Sequence, residues 1–166
     1  MKITIPIIAL LCLGGCAVVH HQQVRIVPSP EDMPARGEFV SPLPGARVLS
    51  DFGPRGARKH EFHEGIDLVK SKRGGDMVYA ARTGVVEMAE WHTGYGRMVL
   101  LRHADGCSTR YAHLAKIYIK KGQKVETGEK IGTVGQSGRA SAPHLHYEII
   151  TRTNCPIDPR PYLNIQ

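Results

Sequence analysis

The residues with the most chemical potential in this chain are its histidines. Nine occur among 166 residues, and imidazole is both the commonest metal ligand and the usual proton carrier near neutral pH. In Pro143-His144-Leu145-His146-Tyr147-Glu148 a proline at the first position suits the opening of a strand. The two-residue period of a strand then turns His144 and His146 to one face and Leu145 and Tyr147 to the other. With about 6.6 Å between their Cα atoms, both can serve one site, one ligating an ion and the other facing its open coordination position. Phe62-His63-Glu64-Gly65-Ile66-Asp67 sets a histidine and an aspartate four residues apart. A straight strand would hold that pair roughly 13 Å apart, so sharing an ion requires a bend, which Gly65 permits. Read alone, the pair is better taken as a surface histidine beside a capping aspartate; the second cluster moves the balance toward a metal. Tyr111-Ala112-His113-Leu114 ends another strand with a histidine, while His60, His92 and His103 read as structural or solvated.

Short strands must position these groups. Eighteen glycines and eleven prolines punctuate the chain at the spacing of an all-β domain, and no stretch sustains a 3.6-residue apolar period. Strands are predicted at Arg47–Asp51, Gly65–Val69, Met77–Ala80, Gly84–Glu90, Met98–His103, Ser108–His113, Lys130–Val134 and His144–Thr151. The fold class is therefore all-β, with little helix. An apolar content of 42% and a charged content of 22% exclude collagen, coiled coil and disorder.

In combination the motifs resemble the LytM/lysostaphin family of zinc endopeptidases, which cut the peptide part of bacterial cell walls. The resemblance runs over roughly residues 39–163. It is carried by Phe52-Gly53-Pro54-Arg55, by His63 with Asp67, by Tyr111-Ala112-His113-Leu114, and by Gly135-Gln136-Ser137-Gly138 leading to His144-Leu145-His146-Tyr147-Glu148. It implies a glycine-rich antiparallel sheet or sandwich with long loops around one zinc ion, zinc ligands at His63, Asp67 and His146, and catalytic histidines at His113 and His144. Departures are small: Ala142 stands where the family often has glycine, and the loop 71–76 is slightly longer and more basic. The chemistry agrees, since two imidazoles and one carboxylate leave a fourth zinc position for water, the pattern of a catalytic site. Without a His-Glu-x-x-His helix there is no glutamate base, a role His113 and His144 would fill. Arg55 is a candidate for holding a substrate carboxylate or carbonyl, and reads equally as a surface arginine. The competing reading is a non-catalytic, wall-binding activator of a cell-wall amidase, which the intact set of five residues argues against.

The N-terminus reads as an address. Lys2, the apolar run 3–13 and Gly14-Gly15-Cys16 have the form of an export signal, and Leu13-Gly14-Gly15-Cys16 resembles the bacterial lipobox. The expectation is a signal peptide over 1–15, a lipidated Cys16, a proline-containing tether to residue 37, and an endopeptidase domain over 38–166. Ala17 after the lipidated cysteine points to the periplasmic face of the outer membrane if the host is Gram-negative. After export Cys107 and Cys155 remain as a pair in an oxidising compartment, where a disulfide and two free thiols are both open. The formal charge of +7 favours anionic wall or lipid. Scattered basic residues, 6% aromatics and the lack of a recognition motif argue against nucleic acid. Expected partners are peptidoglycan, a membrane through the lipid, and a regulatory protein that restrains lysis.

Overall fold

The computed structural model describes residues 15–20, 23–55 and 62–164. The signal segment 1–14, His21, His60 and Gln166 lie outside that range. The first strands are β1 (Gly15–His20), β2 (Gln23–Pro28), β3 (Phe39–Val40), β4 (Arg47–Ser50), β5 (Gly53–Pro54), β6 (Phe62–His63) and β7 (Ile66–Val69). They are followed by β8 (Met77–Tyr79), β9 (Gly84–His92), β10 (Gly96–Arg102), β11 (Ser108–Ile117) and β12 (Lys124–Val125). The last are β13 (Lys130–Val134), β14 (Leu145–Ile150), β15 (Pro156–Ile157) and β16 (Leu163–Asn164). Among the described residues the helical segments are two 3-10 turns, Pro30–Asp32 and Arg160–Tyr162. All eight predicted strands form. The further ones after residue 38 are two-residue segments, too short to show a period of two.

Ten strands make one antiparallel sheet in the order β12-β9-β10-β11-β14-β7-β4, with β13 bridging β11 and β8, and β15 beside β14. Alternation along β14 divides its faces. Leu145, Tyr147 and Ile149 are fully buried with Tyr111, Val99, Leu101 and Ile66 in the core. His146 and Glu148 occupy the opposite face, where β11 sets Ala112 and Arg110 beside them. Each large apolar side chain so buried contributes about 1.5–3 kcal/mol relative to exposure, and this burial holds the register that aims the polar face.

Within the segment 16–37, β1 and β2 pair antiparallel, Gly15 opposite Pro28, and the turn after them packs on the body. Asp32 there is 5% exposed, accepting from Ser29 Oγ at 2.7 Å and Arg152 Nε at 2.6 Å. Contacts with the body thus reach back to Asp32. Cys107 and Cys155 are both buried and unbridged. Cys107 precedes β11 and Cys155 precedes β15, strands that flank β14 on opposite sides.

Candidate active site

Three atoms converge at one end of β14. His63 Nε2 lies 3.0 Å from Asp67 Oδ1 and 3.0 Å from His146 Nδ1, and the last two are 2.9 Å apart. All three residues are buried. The chain bends between His63, paired with Gly53 in a small two-stranded sheet, and Asp67 on β7 opposite His146. Gly65 is needed there for close approach: a Cβ would collide with the Tyr147 carbonyl and meet the Glu148 side chain.

Each ligand ring is also held at its rear nitrogen by an oxygen that only accepts, so the rear nitrogen can carry the proton when a cation takes the front one. His63 Nδ1 donates to the Asp51 carbonyl at 2.7 Å, and His146 Nε2 donates to Glu148 Oε1 at 2.9 Å. With the rear nitrogens protonated, two ring lone pairs and a carboxylate oxygen converge within 3.0 Å of one another, a donor set suited to a cation. The separations approach the ~3.3 Å that bonds of about 2.0–2.1 Å impose on tetrahedral zinc. The donor set and its spacing fit one zinc ion per chain.

Two further imidazoles face the same cleft. His113 Nδ1 donates to the Ser137 carbonyl and His144 Nδ1 to the Ala142 carbonyl, each at 2.8 Å. Their rings stand 4.8 Å apart, and His144 Nε2 is 3.5 Å from Asp67 Oδ1. Burial pushes the His113 imidazole down to about 4, so it is neutral at physiological pH and able to take a proton. β11 does not end at His113 as expected but passes through it: between the pairs Val99 with Tyr111 and Arg97 with Leu114, β11 has one residue more than β10. This bulge puts His113 at φ 61°, a left-handed conformation rare outside glycine and costing about 1–3 kcal/mol. It turns the ring out of the strand's alternation into the cleft.

The Gly135–Gly138 motif supports that strained ring. Ser137 Oγ donates to the Leu114 carbonyl at 2.8 Å and accepts from Arg97 N at 2.9 Å, while its carbonyl holds His113. A Cβ at Gly138 would strike Gly94 and Gly96, so the motif is interlocked with the turn before β10.

Behind His146, Glu148 is fully buried and accepts from Arg110 Nη1 at 2.7 Å and from the Tyr95 hydroxyl at 2.8 Å. Burial alone would raise its carboxyl; the bonds from His146 and the Arg110 charge outweigh that and hold it below its usual value. Such an ionised partner orients a ligating histidine and strengthens its basicity. The sequence alone assigns Glu148 no role, although its place two residues beyond His146 on the same face is the signal for one. Tyr95 and Arg110 gave no signal. Arg55, half-exposed, donates to Asp67 Oδ2 at 3.2 Å. His92 is exposed at the end of β9, bonded to the Thr93 carbonyl, and His103 is buried and bonded on both nitrogens.

The cleft over these groups has a volume of about 360 Å³ on the side of His113 and His144. Its other half, of about 410 Å³, lies beside His63, Phe62 and Glu64.

Comparison with known proteins agrees with this geometry. Residues 61–159, more than half of the chain, match the model of peptidase family M23. The chain is 43% identical over 112 residues to the peptidoglycan DD-endopeptidase ShyA of Vibrio cholerae, covering 64% of this chain and 25% of that protein. It superimposes on a zinc-containing peptidase from Vibrio cholerae with a TM-score of 0.64 at 33% identity, over 75% of this chain and 39% of the other. The catalytic domain of lysostaphin from Staphylococcus simulans gives 0.64 at 30% identity, over 70% of this chain and 91% of that domain. The chain spans about a quarter of the length of the curated relatives it matches. A five-residue polar cleft on an antiparallel sheet, matched in sequence and in fold, places this chain in peptidase family M23.

Proposed function

We propose that the chain is a zinc-dependent endopeptidase that hydrolyses peptide cross-links of bacterial peptidoglycan. The observation that carries this reading is the convergence of three ligand atoms with two further imidazoles, all four rings held from behind by acceptors so that their lone pairs face one cleft. The name of ShyA supports the substrate class. His63, Asp67 and His146 hold the zinc, which, when bound, polarises a carbonyl and acidifies water. His113 and His144 present their Nε2 atoms to the same space. Between them they accept the proton that water loses as its oxygen bonds to the scissile carbon, stabilise the developing oxyanion, and return the proton to the amine as the C–N bond breaks. Arg55 holds Asp67 from its outer oxygen and neutralises it in part.

The test is mass analysis of fragments released from purified peptidoglycan. The parent should release cleaved peptides and His63→Ala none, with loss of zinc. His113→Ala and His144→Ala should keep zinc yet lose activity about 10²- to 10⁴-fold. Unchanged function in these two variants would leave only a zinc-sequestering protein. Zinc retention with no release from the parent would favour the amidase-activator reading.

We also infer that the chain is exported and lipidated at Cys16, with the domain held at a membrane, periplasmic in a Gram-negative host, and lysis restrained by a protein partner or by the anchoring itself. The apolar segment ending in Leu13-Gly14-Gly15-Cys16 supports this. Among the described residues no helix is long and apolar enough to cross a membrane. The mass of the mature N-terminus, against a Cys16→Ala variant, tests it.

A further inference from the structure

The cleft holds two arginines with different positions. Arg55 is committed to Asp67. Arg139 lines both halves of the cleft beside His146 and is exposed, and its guanidinium has no anionic or hydrogen-bonding partner among the described residues. Its backbone, by contrast, is pinned: Arg139 N donates to the Gly94 carbonyl at 2.9 Å, and the preceding Gly138, at φ 70°, is packed against the same turn. A cation on a fixed base, with five donors and no acceptor of its own, suits a planar carboxylate.

The lining of the two halves says where that carboxylate belongs. Beside His63 the cleft presents Glu64, which repels an anion. Beside His113 and His144 it presents Leu49, Ser141 and Ala142, and Asp67, already paired with Arg55, is its one carboxylate among the described residues. Leu49 is 50% exposed although apolar, and with Ala142 it offers a contact for a small apolar side chain.

We propose that Arg139 is a substrate-recognition residue that binds a free carboxylate next to the scissile bond, on the His113/His144 side of the cleft. The inference rests on the hydrolase reading for its substrate, but not for its test. Such a carboxylate has two sources: the C-terminus of a peptide, or the α-carboxylate of a residue linked through its side-chain amine.

The experiment measures binding to the zinc-loaded chain of uncleavable ketomethylene isosteres in two matched pairs. One pair ends in D-Ala as free acid or primary amide. The other carries a side-chain-linked diamino acid with its α-carboxyl free or amidated. The wild type should bind the acid of at least one pair about tenfold or more tightly than the amide, as expected for a charge-assisted bond, and the pair showing it names the source. Arg139→Gln should abolish the preference by weakening the acid alone, with zinc content and Tm unchanged, and Arg139→Lys should restore part of it. No preference in the wild type, or one that survives Arg139→Gln, overturns the assignment. Hydrolysis of the corresponding amides is followed in parallel: its absence with the preference intact would sink the hydrolase reading and leave Arg139 standing.

Discussion

At the scale of single residues, each imidazole of the cleft works through the atom behind it. Glu148 is the one side chain among those supports, because Asp51, Ser137 and Ala142 act through backbone carbonyls. It is therefore the support a substitution can remove. Glu148→Gln should lower zinc affinity about 10- to 100-fold, read by competition with a chelator, with a smaller loss of activity once zinc is saturating. His103 shows the opposite use of an imidazole. Burial pushes it below its ordinary value, between the Thr83 carbonyl at 2.9 Å and Thr109 Oγ1 at 3.0 Å. Because the folded chain resists protonating it while the unfolded chain does not, its contribution to stability is present above about pH 6.5 and is lost as pH falls through the folded value. Denaturant unfolding at pH 7 and pH 5 should show a shallower acid loss in His103→Gln, by up to about 1.4 kcal/mol per pH unit.

At the scale of elements, two irregularities in regular strands make the site. The β11 bulge costs backbone strain at His113 and gives the ring its direction. Replacing His113 by glycine or alanine removes the same imidazole, but only alanine keeps a Cβ at φ 61°. The glycine variant should be the more stable by about 1 kcal/mol, measured by urea unfolding, with both inactive. Equal stability would mean the left-handed conformation is not what the sheet imposes. In β14 the buried Tyr147 hydroxyl lacks a partner among the described residues, so Tyr147→Phe should be neutral or stabilising by up to about 1 kcal/mol. The strand needs that ring for packing against Tyr111, 5.4 Å away, and not for its hydroxyl.

At the scale of the whole molecule, the Asp32 clamp lies away from the metal ligands along β14: His146 stands near the start of that strand, whereas Arg152, which meets Asp32, follows its end, and Cys107, which also meets Asp32, precedes β11. The Asp32 clamp also sets the folding unit. Removal of residues 1–28 should leave the Tm of the domain unchanged, whereas removal of 1–33 should lower it by several degrees, since Arg152 and the buried surface around Cys107 lose their cover.

The strands, the all-β class and five of the cleft residues were legible in the chain because alternation, glycine spacing and histidine pairing are local properties. Periodicity alone put His144 and His146 on one side, and motif resemblance joined them to His63, Asp67 and His113. What local pattern could not carry was anything set by contacts between distant segments. The need for Gly65 arises from the nearness of the Tyr147 carbonyl, and the direction of His113 from a register shift against β10. Glu148 became a support for His146 only when Arg110 and Tyr95 closed around it. Sequence determines which side chains are available and which face of a strand each takes; tertiary structure decided which backbone oxygen stands behind each imidazole, and so which nitrogen is free to act.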